Sequence, residues 1–392
     1  MRRKAGRTEG RKDGRRGRGA VPSFRLSVFP PFRSPVLPPF RRILVIRNDR
    51  LGDFMLAWPS FATLKASLPE SEVHALVPAY TADLAALCPW LDAIVPDPGR
   101  SEGLSATRAL VREIRGRRFD AAIALFSTGR VAAATLLAGI PYRLAPATKP
   151  AQFLYSHRLR QRRSASMKPE FEYNLDLVHA ALRRCGVEAV AVPPPYLRLP
   201  ASETAALRDE FCAREGLDPS RPLVFVHPGA GGSAPSLGPE AFARVAASLQ
   251  APDGYSVVVT AGPSERVLAD RVAGIVSNRG VPARVLHSTS GLGDFARRLA
   301  FADLFVSGST GPLHLAGALD RPTAAFYPRT TVSSALRWRT LNTEGRRLAF
   351  EVPPTAAPDD LSAIDLEGAA RAISRRFLAP APADRGATGR RT

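Results

Sequence analysis

Three short stretches of this 392-residue chain hold residue types that could act on a ligand. In VSGSTGPLHLAGAL, residues 306–319, an apolar run enters small residues, and Thr310 and Gly311 stand at the mouth of a helix with Pro312 near its first position. Exposed N–H groups and the helix dipole make such a mouth an anion site, to which Thr310 adds a hydroxyl. His314 follows one turn later and can face the same point. An N-cap beside a satisfied histidine explains the same letters, so spacing alone leaves both readings open. In RILVIRNDRLGDFMLAWP, residues 42–59, Asp53 stands at the start of a helix after a short apolar strand. It is either a favourable first-turn acid or a general base pointing into a cleft, with Asp49 as a competitor.

The third stretch, VFVHPGAGGSAPSLGPEAF, residues 225–243, reads as strand, glycine-rich turn and helix, yet holds no lysine or arginine. GAGGSA formally matches the dinucleotide fingerprint, in which the helix begins at the glycines. Here Pro235, Gly238 and Pro239 delay the helix. The next strand, YSVVVT, ends in Thr260 rather than an acid, and Glu265 lies five residues later. No nicotinamide or flavin site is expected.

The elements that must position these groups are regular from Arg42 onward. Short apolar runs such as RILVIR, EVHALVP, LDAIVP and FDAAIALF alternate with helical patterns, and Pro59 predicts a late start or a kink in the first helix. The proline-rich VEAVAVPPPYLRLP interrupts the rhythm, which restarts with PLVFVHP, YSVVVTAG, ARVLHST, DLFVSGS and PTAAFYP. Alternation of this kind predicts parallel sheets covered on both faces. The fold class is α/β, with two doubly wound domains at 42–192 and 201–378, a linker at 193–200, and a ligand cleft between them at the strand C-termini.

The chain carries a net charge of +20. Residues 1–42 hold thirteen basic residues and two acids, a net +11 and more than half of the excess. Six prolines between Pro22 and Pro39 break any amphipathic helix, and no apolar run there is long enough for a signal-peptide core. Residues 1–41 and 379–392 are therefore expected to be disordered tails. The first is either an arm with no role, a start codon placed too early, or an attraction to an anionic membrane or nucleic acid. The three scattered cysteines, Cys88, Cys185 and Cys212, form no metal or redox pair and suit a reducing, cytoplasmic setting.

Taken together and in this order, the stretches resemble glycosyltransferase family 9, best known for ADP-heptose:lipopolysaccharide heptosyltransferases. RILVIRNDRLGDFMLAWPSFATLK resembles the family's opening strand, its S-L-G-D type loop and the helix after it. VFVHPGAGGSA, VVVTAGPSE and VSGSTGPLHLAGALDRPTAAFYP resemble the second domain's opening loop, its G-x-x-E segment and its S-T-G-P-x-H-L-A signature. The resemblance implies a GT-B fold, two Rossmann-like domains facing a cleft, with the acceptor on the first and the nucleotide-sugar on the second. It implies inverting transfer without metal or cofactor, from a donor such as ADP-heptose to a lipid-linked saccharide, at the inner face of the inner membrane. By motif position Asp53 is the base, Thr310, Gly311 and His314 hold the donor diphosphate, and Glu265 binds the ribose. Ser309 stands where many relatives have an acid that touches the donor sugar. Many relatives also carry a phosphate-binding lysine where this chain has Pro235-Ser236-Leu237, so backbone N–H groups of Gly231, Gly232 and Ser233 are expected to serve the donor instead. Other readings are a different nucleotide-sugar, a degenerate nucleotide-binding scaffold, or a nucleic-acid binder acting through the basic tail. The folded part has no nucleic-acid reader motif, so no nucleic-acid partner is expected.

Overall fold

Strand β1 (Arg42–Ile46) has no side chain from Ile43 to Ile46 with measurable exposure, as a strand covered on both faces must. In this computed structural model, which describes residues 37–99, 103–148, 150–231 and 235–379, it lies inside a six-stranded parallel sheet. The others are β2 (Glu72–Pro78), β3 (Ala93–Asp97), β4 (Ala121–Ala124), β5 (Tyr142–Pro146) and β6 (His157–Leu159), in spatial order β3-β2-β1-β4-β5-β6. A second parallel sheet repeats the plan with β7 (Leu223–His227), β8 (Ser256–Ala261), β9 (Ala283–His287), β10 (Leu304–Gly308), β11 (Thr323–Tyr327) and β12 (Arg347–Glu351), ordered β12-β11-β10-β7-β8-β9. In both sheets the chain order reverses beside the first strand. The segments leaving β1, β7 and β10 therefore emerge at switch points, where such folds bind ligands.

Alternate faces of β1 enter different cores. Ile43 and Val45 pack with Trp58, Phe61 and Leu177, whereas Leu44 and Ile46 pack with Leu110, Ile114 and Val131. The first of these clusters continues into the second half through Phe225, Phe305, Leu313 and Leu315, so one apolar core joins the two sheets. A second join is polar. The Asp83 carboxylate accepts a hydrogen bond from the Gly293 N–H at 2.8 Å, in the first turn of the helix Leu292–Leu299, whose own N-cap residue Gly291 has no side chain to offer.

The two α/β halves agree with expectation, and several details differ. Sequence patterning did not predict β5, β6 or β12: β6 and β12 are edge strands with no buried residue to mark them, and β5 is a short inner strand whose apolar run is broken by Arg143 and Pro146. The first helix is two, Leu51–Met55 and Trp58–Ser67, and Pro59 sits in the opening turn of the second, where its missing N–H costs no bond. The expected tail through Arg41 is too long. The Leu37 N–H donates to the Arg184 carbonyl at 3.0 Å, and Phe40 is buried against Tyr142 with ring centroids 4.9 Å apart. Its proline-rich context hid this packing. The rest of that tail and residues 380–392 lie outside the described residues. Among the described residues no helix is long and apolar enough to cross a membrane.

Asp83 links the halves through this accepted hydrogen bond, which a single small substitution deletes. Asp83→Ala is expected to lower stability by about 1 kcal/mol in urea unfolding, with an unchanged slope.

Candidate active site

A cleft of about 1270 Å³ lies between the C-terminal edges of the two sheets. Its walls are the loops after β1, β7, β8 and β10, together with residues 161–170 and 332–338. Both sides of the expected site open into it.

On the first side, β1 delivers Arg47, which is 2% exposed. Its Nε donates to Asp49 Oδ1 at 2.9 Å, its Nη2 to Asp53 Oδ1, and its Nη1 to Asn174 Oδ1 at 3.1 Å and Glu170 Oε1 at 3.4 Å. Burial by itself would lower the Arg47 pKa, but Asp49, Asp53 and Glu170 raise it above its ordinary value. The guanidinium is a fixed charge. Burial pushes the Asp49 carboxyl up to about 6, with Arg47 opposing and Asp53 adding to the shift. Asp53 Oδ1 is held by Arg47, and its second oxygen accepts no hydrogen bond from the described residues. Glu170 also receives Arg163 at 2.8 Å and Arg337 at 3.1 Å, so one carboxylate gathers three arginines.

On the second side, Thr310 is the N-cap of the helix Gly311–Ala318, with its Oγ1 accepting from the Leu313 N–H at 3.3 Å and paired with Ser307 Oγ at 2.9 Å. Either hydroxyl of that pair can donate, and with Ser307 as the donor the Thr310 proton is left for a ligand. Pro312 has no N–H and that of Leu313 is capped, so Gly311 carries an amide left over at the helix mouth. Ser309, half-buried, lines the cleft beside them. His314 is 2% exposed, leans on Trp338 with ring centroids 6.1 Å apart, and has no partner for Nδ1 among the described residues. Burial pushes its pKa down to about 4, so it is a neutral hydrogen-bonding group at pH 7 rather than a cation for a diphosphate.

Glu265 lies across the loop after β8. Its Oε2 accepts from the Gly262 N–H at 2.9 Å and lies 3.9 Å from His227 Nε2. Burial lowers the His227 pKa, with Glu265 opposing. Gly231, at φ +53°, lines the cleft, whereas Gly232 and Ser233 lie outside the described residues. The stretch that lacks the expected lysine turns away from the cleft: Leu237 is in the core, and Ser236 Oγ lies where a Cβ on Gly308 would come within 2.6 Å of it.

The two sides touch. A Cβ on Gly52 would sit 2.9 Å from His314 Cδ2, and one on Gly311 would sit 2.8 Å from Leu51 Cδ2. Only glycine allows the R-L-G-D loop to press against the S-T-G-P helix mouth. Sequence reasoning pointed to Asp53, Ser309, Thr310, Gly311, His314, Glu265 and Gly231, and all seven line one cleft. It missed Arg47, Glu170, Arg163 and Arg337. A charged residue directly after a fully apolar strand was the one available signal, and it pointed to Arg47. Four cations line the cleft, and Arg47, Arg163 and Arg337 are neutralised by carboxylates. Arg50, exposed at the rim, pairs with no carboxylate among the described residues.

Comparison with known proteins gives the same picture. The family model described as "Glycosyltransferase family 9 (heptosyltransferase)" matches residues 107–349. A Haemophilus influenzae protein named no more finely than a glycosyltransferase is 43% identical over 85% of this chain and 96% of its own length. Lipopolysaccharide heptosyltransferase 2 of Salmonella typhimurium is 25% identical over 73% of this chain and 82% of its own. Among solved structures, Escherichia coli ADP-heptose lps heptosyltransferase II superposes with a TM-score of 0.69 at 21% identity, covering 86% of this chain and 98% of that one.

Two outcomes follow from the geometry. Gly52→Ala is expected to force the loop and helix mouth apart and to weaken any ligand that bridges them at least tenfold, as titration calorimetry would show. His314 stays neutral in the fold while its unfolded form, at 6.5, takes a proton. Stability is therefore lost as pH falls below about 6.5, by about 2 kcal/mol between pH 7 and pH 5 from this residue. Urea unfolding of His314→Gln should show that part of the pH dependence removed.

Proposed function

The chain belongs to glycosyltransferase family 9, and we propose that it transfers heptose, or a related sugar, from ADP-heptose to a lipopolysaccharide core acceptor with inversion at the anomeric carbon. The observation that carries this reading is the contact between the Asp53 loop and the Thr310–Gly311 helix mouth. It brings a carboxylate and a capped helix mouth to one cleft. ADP as the nucleotide is taken from relatives, one of which is the E. coli heptosyltransferase WaaC solved with ADP.

In this reading Arg47 holds one oxygen of Asp53, and the other takes the proton of the acceptor hydroxyl as it attacks the anomeric carbon. Such assistance is worth about 10²–10⁴ in rate. The nucleoside diphosphate leaves from the opposite face. The Gly311 amide, the Thr310 hydroxyl and the helix dipole stabilise its developing charge. Arg50, which lines the cleft and pairs with no carboxylate among the described residues, replaces the lysine that many relatives carry in the second-domain loop. Neutral His314 and Ser309 hydrogen-bond the sugar, and Glu265 the ribose. Fixing the donor in this way lowers the entropic part of the barrier. The protein works in the cytoplasm, peripherally at the inner face of the inner membrane, where the lipid-linked acceptor is presented.

Two measurements test the assignment. Asp53→Asn is expected to lower kcat by about 10²–10⁴ with ADP affinity kept; equal loss of ADP binding would make Asp53 a structural acid. Arg50→Ala should raise the Kd for ADP about tenfold and leave that for adenosine unchanged, consistent with about 1.5 kcal/mol for a charge-assisted contact. A thermal-shift panel of ADP-, GDP-, UDP- and dTDP-sugars identifies the base, and stabilisation by another donor alone would overturn the ADP assignment.

A further inference from the structure

We propose that the outer face of the first half, built by the helices Gly103–Gly116 and Gly129–Leu137 and by residues 150–162, docks on an anionic lipid bilayer beside the acceptor end of the cleft. The inference rests on the reading of the acceptor as a lipid-linked saccharide, and it assigns the surface that meets the lipid.

Charge is the first observation. No Asp or Glu occurs between Asp120 and Glu170. Among the basic residues of that stretch, Arg130 pairs with Asp97, Arg163 with Glu170 and Lys168 with Asp176, and Arg143 donates to backbone carbonyls. Arg158, Arg160 and Arg162 are exposed and meet no carboxylate among the described residues. The helix Gly103–Gly116 adds exposed Arg108, Arg112 and Arg115, while its single acid, Glu113, is taken by Arg117 at 2.6 Å.

The second observation is apolar side chains on the same surface. Leu110 and Ile114 of one helix, Val131 and Ala134 of the other, and Ala151 and Leu154 of the following turn all enter the core on one side of the first sheet. The opposite sides of these elements therefore form one outer surface. On it Leu104 is 76% exposed, Leu137 59% and Phe153 74%. Arg115 Nη2 donates to the Leu137 carbonyl, tying the two helices, and the Arg158 guanidinium lies 5.3 Å from the centre of the Phe153 ring. Isolated apolar tips set among unpaired arginines match an anionic headgroup layer, in which the cations meet phosphates and the tips enter the acyl boundary. Leucines offer no stacking platform for bases, and the Phe153 face is covered by Arg158, so the pattern does not suit nucleic acid.

The third observation is continuity. Pro146, Thr148, Gln161 and Ser164, on either side of the Phe153 segment, line the cleft. A saccharide whose lipid stays in the bilayer would reach Asp53 past them.

The test is sedimentation of the full chain with phosphatidylcholine vesicles with and without 30% phosphatidylglycerol. Each Lys or Arg near such a surface is worth about 1 kcal/mol, roughly fivefold in partitioning. Arg158→Ala/Arg160→Ala/Arg162→Ala should lower the partition coefficient about 100-fold on anionic vesicles. Leu137→Ser/Phe153→Ser should lower it at both low and high salt. Thermal midpoint and ADP affinity should match the unchanged protein in both. Because Cys88, Cys185 and Cys212 are all buried, Phe153→Cys takes an environment-sensitive label selectively, and its emission should shift to the blue on anionic vesicles. Unchanged vesicle binding in the face variants, with the loss confined to removal of residues 1–36, overturns the proposal. So does an unshifted label on bound protein, or preferential binding of duplex DNA over the vesicles. Failure of the unchanged chain to bind ADP would sink the enzymatic reading and leave the vesicle result standing by itself.

Discussion

A guanidinium withdrawn from water is costly unless every direction it points in is answered, and Arg47 at 2% exposure is answered by Asp49, Asp53, Glu170 and Asn174. The arrangement runs both ways. The carboxylates keep the arginine charged, and the arginine gives each of the three acids a hydrogen-bonding partner. Asp49 shows how strong the pressure of burial is, being pushed up to about 6 even beside the guanidinium. Asp53 is consequently held by one oxygen on a rigid strand end, with the other turned over to the cleft. The position of a reactive carboxylate is set here by an ion network reaching from β1 to the helix Glu170–Arg184, and not by its own short helix of Leu51–Met55.

The far wall has a different electrostatic character. Its histidines are buried and neutral, its Thr310 hydroxyl is engaged in capping, and, Glu265 apart, the groups around the helix mouth are amides and dipoles rather than ions. Such groups stabilise charge that appears during a reaction more than charge already present, because they need not reorganise when it forms. Together the walls set an ion network on one side of the cleft and a dipolar helix mouth on the other.

The alternation of apolar strands and helices, and the groups at Asp53 and at Thr310–His314, were legible because each sits at the end of a strong local pattern. β6 and β12 were not, since these edge strands carry no buried residue to stand out, and β5 was not, since Arg143 and Pro146 break its short apolar run. Glu170 was invisible for another reason. It opens a helix whose first turn is acidic in the ordinary favourable way, and only the fold shows that Arg47 and Arg337, from distant positions, converge on it beside Arg163. Local chemistry can be read from letters, while a charge network assembled from residues over a hundred positions apart cannot. The same limit hid Phe40, whose proline-rich surroundings gave no hint that it packs against Tyr142.

The Glu170–Arg337 pair has a mechanical side. The Glu170 N–H donates to the Arg337 carbonyl at 2.9 Å, the Arg337 side chain returns to the Glu170 carboxylate and the Arg163 carbonyl, and Arg339 meets Glu172 at 2.9 Å next door. Pulling the sheets apart at that seam would strand a buried carboxylate with less than its share of cations. The seam therefore fastens residues 163–172 of the first half to residues 337–339 of the second through ion pairs and backbone together.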